Sequence, residues 1–324
     1  MIALLKIIKR NSKNKTNMRN VLVIGGHGFI GSHVVDKLAE KGINVMVFGR
    51  EPNKAQPFMP KGDHEFFLGD VKDREAVKTA ISLNDGVINL AGILGTSETV
   101  DDPYPSVQTN IVGALNVFEG IRAADVPGVQ IVVGNHFMNN SYAITKTTAE
   151  RFALMYNKEH GTRIAVVRGL NAYGPRQKHK PVRKIIPNFV IRAIKGEPIE
   201  IYGKGRSIMD MIHVEDLAEV LVRALTVEHE TYDRVFEAGT GIKTTVNDIA
   251  DVVKDLAGSK EDHKHIPMRA GEPEKSVVLG DPKTLKPLGK IKMRDLREGL
   301  QSTIQWYISD YPWMQDMEGG ETNG

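Results

Sequence analysis

The segment "VLVIGGHGFIGSHVV", Val21 to Val35, limits what this chain can fold into more than any other. Four apolar residues read as a buried strand, and the amphipathic run after them reads as a helix. Glycines stand at 25, 28 and 31, between that strand and the start of that helix. Three-residue glycine spacing says little alone, but a strand before it and a helix after it predict a dinucleotide-binding loop. Gly25 would make the tight turn, and Gly28 would let the backbone approach a pyrophosphate. Gly31 would let helix and strand pack closely. The helix N-terminus would supply N–H donors and positive potential to the anion.

The same alternation continues. "INVMVFG", "EFFLGD", "DGVINLAG", "VQIVVG" and "RIAVVRG" read as strands, separated by helical patterns that include "REAVKTAI", "VQTNIVGALNVFEGIRAA" and "SYAITKTTAERFALMYNKEH". Continuous Val/Ile runs indicate strands covered on both faces. The expected fold class is α/β, a Rossmann-type doubly wound parallel sheet. After Gly169 the pattern loosens, which predicts a smaller C-terminal substrate-binding lobe. The expected division is a disordered extension at 1–18 and an NAD(P)-binding domain at 19–172, with 213–240 returning to it. A lobe at 173–212 and 241–313 and a disordered tail at 314–324 complete it.

Composition removes several classes. With 43 basic and 40 acidic residues the net charge is +3, which makes no electrostatic case for nucleic acid. The absence of cysteine excludes disulfides and thiolate metal sites, and it suits a reducing, cytoplasmic setting. No metal site is read elsewhere. The apolar part of "MIALLKIIKRNSKNKTNM" is too short to span a bilayer, and no small-residue cleavage site follows it, so no membrane association is expected.

Tyr142 and Lys146 in "SYAITK" stand four residues apart, so both project from one helix face. An ammonium beside a phenol favours phenolate, and such a tyrosine can take a proton from a sugar hydroxyl. Asn140 or Ser141 is suited to cap that helix. The second strand ends in Gly49 and Arg50, where an NAD site usually has a carboxylate; this leans toward NADP.

These motifs, with "GDVKD", "INLAG", "NAYGPRQ", "IIPNFVIRAIKGEPIEIYGKG", "MDMIHVEDLAEVLVRAL", "RAGEPEKSVVLGD" and "LREGLQSTIQWY", resemble the extended short-chain dehydrogenase/reductases, in particular the NAD-dependent sugar epimerase/dehydratase family. The resemblance runs from about Arg19 to Pro312. It implies NAD or NADP as a tightly bound cofactor, a nucleotide-diphosphate sugar as substrate, and a homodimer formed through helices around Val107–Ala124 and Tyr142–His160. It implies Tyr142 as catalytic base and Lys146 as the residue that lowers its pKa and holds the nicotinamide ribose. Gly25, Gly28, Phe29, Ile30 and Gly31 match the pyrophosphate loop, and Asp70 and Val71 the adenine contacts. Leu90, Ala91 and Gly92 match the wall beside the ribose, and Asn110, in the helix after the fourth strand, is a further expected cofactor contact. Asn171 resembles an amide that contacts the sugar nucleotide, and Arg269 a diphosphate-binding arginine.

The chain also departs from the family pattern. The usual Ser or Thr after the fifth strand is replaced by Gly134, Asn135 and His136, and the dehydratase Asp–Glu pair by Phe137 and Met138. Met209 takes the place of a common phosphate arginine, with Arg206 as the expected substitute. Asn135 or His136 is a candidate donor to the substrate oxygen, and Thr96, Ser97 and Glu98 are candidates to face the sugar. The expected activity is nucleotide-sugar epimerisation or dehydration through transient oxidation. The alternatives are an NADP-dependent carbonyl reductase and a non-enzymatic cofactor sensor or scaffold.

Overall fold

The computed structural model describes residues 18–51, 58–269 and 272–311. The expected tail and all of the expected N-terminal extension except Met18 lie outside the described residues. Strands β1 (Asn20–Ile24), β2 (Asn44–Gly49), β3 (Glu65–Leu68), β4 (Gly86–Asn89), β5 (Gly128–Val133), β6 (Ile164–Gly169) and β11 (Val235–Ala238) form one sheet in the order β11-β6-β5-β4-β1-β2-β3. Every pairing in it is parallel. The expected parallel Rossmann-type sheet is therefore present, and the segment after residue 213 brings its strand back beside β6.

Residues along each strand face opposite sides, so the Val/Ile runs feed two cores at once. Val21, Val23, Val129, Ile131, Ala165 and Val167 pack beneath helices α1 (Phe29–Glu40) and α6 (Val214–Thr226). Leu22, Ile24, Val132, Ile164 and Val166 pack beneath α2 (Arg74–Ser82), α3 (Gly113–Ala124) and α4 (Ser141–His160). This two-sided burial explains why the strands lack polar alternation.

A third core lies outside the sheet. It joins Tyr173 at the end of β7 (Asn171–Tyr173) to α5 (Ile185–Ile194), β8 (Glu200–Tyr202), β10 (Met211–His213), α7 (Val246–Ala257) and α8 (Leu296–Ser309). The short strands β9 (Ile208–Met209), β12 (Thr244–Thr245), β13 (Lys264–Ile266) and β14 (Val277–Val278) complete this lobe. Asp210, fully buried, ties it to the sheet: its carboxylate accepts from Thr240 N and Oγ1, Gly241 N and Gly280 N at 2.7–3.1 Å. Four donors on one buried carboxylate compensate the cost of removing that charge from water.

Helix α4 needs similar anchoring because it carries the tyrosine and lysine. Asn140 is its N-cap, accepting from Ala143 N at 2.9 Å, so Ser141 is the first helical residue. Farther along, Glu150 forms a two-pronged pair with Arg168 of β6, at 2.6 and 2.9 Å. Arg168 also reaches Glu237 of β11 at 2.9 Å. Paired planar donors fix direction as well as distance, which holds α4 in one orientation against the sheet.

Candidate active site

A cleft of about 840 Å³ follows the C-terminal ends of the central strands. Gly25, Gly28, Phe29, Ile30, Gly31, Arg50, Asp70, Val71, Leu90, Ala91, Gly92, Tyr142 and Lys146 all line it. Gly25 has φ +81°, a conformation that favours glycine. A Cβ on Gly31 would lie 2.2 Å from the Gly25 carbonyl oxygen, and one on Gly28 would lie 3.1 Å from it. Gly28 is the N-cap of α1 and supplies no side-chain cap, so the first N–H groups of the helix face the loop unclaimed by a capping side chain. A bare, closely folded loop over an open helix N-terminus fits a dinucleotide pyrophosphate.

Asn110 does not line this cleft; its place is behind the wall. It lies in a π-helical stretch, Val107–Val112, where its Oδ1 accepts from Ile93 N at 2.8 Å and its Nδ2 donates to Ile93 O at 3.1 Å. The same Nδ2 donates to Thr145 Oγ1 at 3.0 Å. One amide thus couples the segment after β4 to α4 between Tyr142 and Lys146. Extra backbone per turn in a π-helix redirects side chains, which suits such a bridging position.

Lys146 is 3% exposed and donates to Ala91 O at 3.3 Å. A Cβ on Gly92 would stand 3.3 Å from Lys146 Nζ, so the missing side chain leaves room for the ammonium. Burial lowers the Lys146 pKa to about 8 and raises that of half-buried Tyr142 to about 12. The cause of each shift is desolvation, which disfavours the charged form of each group.

A second cleft, about 800 Å³, opens between sheet and lobe. The two clefts share Phe29, Ile30, Leu94, Tyr142, Gly169 and Leu170 in their walls. Thr96, Glu98, Asn135, Asn171 and Arg269 line the second cleft. Asn171 is set by Asp210, whose backbone oxygen accepts from both its N and Nδ2 at 3.1 Å. Thr96 Oγ1 donates to Glu272 Oε1 at 2.8 Å, and the same oxygen accepts from Arg269 at 2.5 Å. The Arg269 guanidinium also lies over the Tyr202 ring, 4.9 Å from its centroid.

At the replaced strand end the glycine is closely packed. A Cβ on Gly134 would come within 2.5 Å of Leu170 Cδ1, so a larger residue does not fit there without movement of Leu170. The next residue, Asn135, reaches the cleft, with its Nδ2 3.1 Å from Met138 Sδ and its buried Oδ1 without a hydrogen-bond partner. His136 turns outward instead. It is exposed, its Nδ1 engages Gly134 O at 3.2 Å, and it is absent from both walls.

Ser97 and Arg206 are likewise not brought to either cleft. Ser97 sits in a turn where its carbonyl accepts from Val100 N at 3.3 Å. Arg206 is exposed in the tight turn between β8 and β9, while Met209 itself faces the cleft. The expected substitution of Arg206 for the arginine missing at Met209 is therefore not realised.

Other cations line the second cleft: Lys180, Arg183, Lys184 and Arg192. Arg183 N donates to Glu98 Oε1 at 3.3 Å, and its guanidinium donates to Tyr202 Oη at 2.8 Å. Burial pulls the Lys184 ammonium below its ordinary range, with Glu98 acting against that shift. In the sequence, Arg183 and Lys184 close "KHKPVRK", which looks like a solvated basic loop. Its one usable signal is its place just before the apolar helix "IIPNFVIRAI".

Comparison with known proteins agrees with this arrangement. A family model described as "NAD dependent epimerase/dehydratase family" matches residues 21–134 and 134–239. A dTDP-glucose 4,6-dehydratase of Streptomyces antibioticus is 27% identical over 331 residues, covering 92% of this chain and 95% of that protein. The crystal structure of a UDP-glucose 4-epimerase from Thermotoga maritima with UDP-glucose has a TM-score of 0.82 at 29% identity, covering 89% of this chain and 98% of that one. A UDP-glucose 4-epimerase from Thermus thermophilus, in complex with NAD, has a TM-score of 0.78 at 28% identity, covering 90% and 99%.

Proposed function

The chain belongs to the NAD dependent epimerase/dehydratase family, and from that membership we propose that it epimerises or dehydrates a nucleotide-diphosphate sugar. The observation that carries this reading is Tyr142, which stands in the walls of both clefts with buried Lys146 one helical turn away. A base so placed reaches both a dinucleotide in one cleft and a sugar in the other. NAD or NADP supplies hydride acceptance from the sugar carbon and hydride return.

The chain's own residues do the rest. The glycine loop and the N-terminus of α1 hold the pyrophosphate, with Asp70 and Val71 beside the adenine. Tyr142 Oη takes the sugar hydroxyl proton as that carbon is oxidised, and Lys146 stabilises the phenolate and holds the ribose. Two relatives carry NAD or a UDP-sugar in their structures, which supports the pairing of the two clefts. Asn135 donates from its amide to the substrate oxygen in place of the family hydroxyl. Thr96 and Glu98 face the sugar. Arg269 leaves Glu272 for the diphosphate, because a planar guanidinium pairs equally well with phosphate and carboxylate. Asn171 contacts the sugar nucleotide.

The reading includes the division into sheet domain and lobe at the boundaries given above, and a cytoplasmic location. It includes a homodimer through α3 and α4, supported by exposed Ile144 and Met155 on α4. Among the described residues no helix is long and apolar enough to cross a membrane. The test is a panel of nucleotide sugars incubated without added cofactor. Isomerised or dehydrated product is the expected outcome. Turnover only with stoichiometric NADPH would favour the second reading, a carbonyl reductase, for which Arg50 in the cofactor cleft is the supporting observation.

A further inference from the structure

Where the two clefts meet, one side chain stands beside Tyr142 without a part in the reaction proposed above. The wall common to both clefts consists of Phe29, Ile30, Leu94, Tyr142, Gly169 and Leu170, so Tyr142 is its one polar side chain. Phe29 and Ile30 belong to the pyrophosphate loop. Leu170 is different: it follows directly on β6, half-buried, between the ends of the central strands and the lobe.

Glycines seat this leucine. A Cβ on Gly134 would lie 2.5 Å from Leu170 Cδ1, one on Gly239 would lie 3.0 Å from its Cγ, and one on Gly280 would lie 3.2 Å from its Cδ2. The three glycines come from separate segments, after β5, after β11 and after β14. Buried Asp210 fixes two of them: its Oδ2 accepts from Gly280 N at 3.1 Å, and a Cβ on Gly239 would run into the same oxygen. The backbone is held as well. Leu170 N donates to Ala238 O at 3.1 Å, and Leu170 O accepts from Ala172 N at 3.0 Å. A side chain packed this closely from three directions keeps one position.

Resting on the sugar-nucleotide reading, we propose that Leu170 is the wall that presses the reacting sugar carbon toward the nicotinamide and retains the keto sugar until hydride returns. Oxidation breaks the C–H and O–H bonds of one sugar carbinol. The C–H electron pair leaves with its hydrogen as hydride to the oxidised dinucleotide, and the O–H proton goes to Tyr142 Oη. What remains is a ketone, joined to the chain by no covalent bond. If it leaves early, the dinucleotide is stranded in its reduced form and accepts no second hydride. An apolar wall opposes that loss by packing on the C–H face of the ring and by excluding the water that would hydrate the ketone. It also keeps the carbon at reacting distance, where a small displacement costs rate. Burial pushes the Tyr142 phenol up to about 12, as an apolar junction requires.

Leu170→Ala tests this in the full chain loaded with NAD and mixed with uridine-diphosphate and thymidine-diphosphate hexoses. The turnover number should fall about tenfold to a hundredfold. Reduced nicotinamide, followed by its near-ultraviolet absorbance, should accumulate at least about tenfold above the unaltered chain, with matching keto sugar trapped from solution by borodeuteride. NAD affinity by calorimetry should stay within about threefold, which also reports intact folding. Gly134→Ala drives a Cβ into the Leu170 methyl and should give the same signature in weaker form. In the Leu170→Ala background it should change neither quantity more than about twofold, because its target is gone. Should Leu170→Ala bind no NAD, Gly134→Ala carries the test alone. Reduced nicotinamide and free keto sugar at the level of the unaltered chain would overturn the role of Leu170. An unaltered chain that converts none of these hexoses without added reductant would overturn the sugar-nucleotide reading itself.

Discussion

The two clefts that meet at Tyr142 are walled by different kinds of matter. The cofactor cleft is set at its tightest point by glycines: a Cβ on Gly25, Gly28, Gly31 or Gly92 would come within 3.4, 3.1, 2.2 or 3.2 Å of a neighbouring protein atom. The substrate cleft is largely side chain, drawn from the segment after β4, the end of β5, the loop before α5 and the loop after β13. Such a loop tolerates little substitution at Gly31, because an added Cβ there meets the loop's own backbone. A side-chain wall can change residue by residue while the fold persists. One cleft therefore states the cofactor class, and the other is free to carry a particular reaction.

That contrast can be broken most severely at Gly31. Gly31→Val places a side chain where even a Cβ would be 2.2 Å from the Gly25 oxygen. Dinucleotide affinity should fall at least about a hundredfold by calorimetry, and sugar-nucleotide turnover should vanish with it. A variant that still binds NAD or NADP normally would show that the loop is not the pyrophosphate cradle.

A smaller effect is expected at the other wall. Arg269→Ala removes one paired donor, and KM for the accepted sugar nucleotide should rise roughly tenfold to a hundredfold with kcat little changed. Cofactor affinity should stay the same, since Arg269 lines only the substrate cleft. A matching loss of cofactor affinity would show that the clefts are not separable.

On stability Lys146 gives a small effect of opposite sign. With its pKa lowered from 10.5 to about 8, the buried ammonium costs the cofactor-free chain up to about 3 kcal/mol at pH 7. The unfolded chain binds that proton more tightly, so this cost is full below pH 8 and declines as pH rises toward 10.5. Lys146→Met should therefore raise the melting temperature of the cofactor-free chain by a few degrees at pH 7 while removing activity. A lowered melting temperature would mean that the bond to Ala91 O outweighs desolvation.

The same contrast accounts for what could be read in advance. The sheet and the glycine loop were legible because Val/Ile runs and glycine positions are local consequences of two-sided burial and close backbone approach. Tyr142 and Lys146 were legible because helical spacing alone puts them on one face. Asn135 and His136 are adjacent and both able to donate a hydrogen bond, and only the turn after β5 separates them, one inward and one outward. Arg183 and Lys184 resemble an ordinary basic loop until α5, Arg269 and Glu272 line the same cleft around them. His27 and His64, whose Nε2 atoms lie 2.8 Å apart, are far apart in sequence, and nothing local announces their contact.

The central claim is that Tyr142 is the base serving both clefts, and kinetics of Tyr142→Phe test it most directly. Turnover of the accepted sugar nucleotide should drop roughly a hundredfold to ten-thousandfold, while affinities for dinucleotide and sugar nucleotide stay within about twofold. Unchanged turnover on every accepted sugar nucleotide would contradict the assignment.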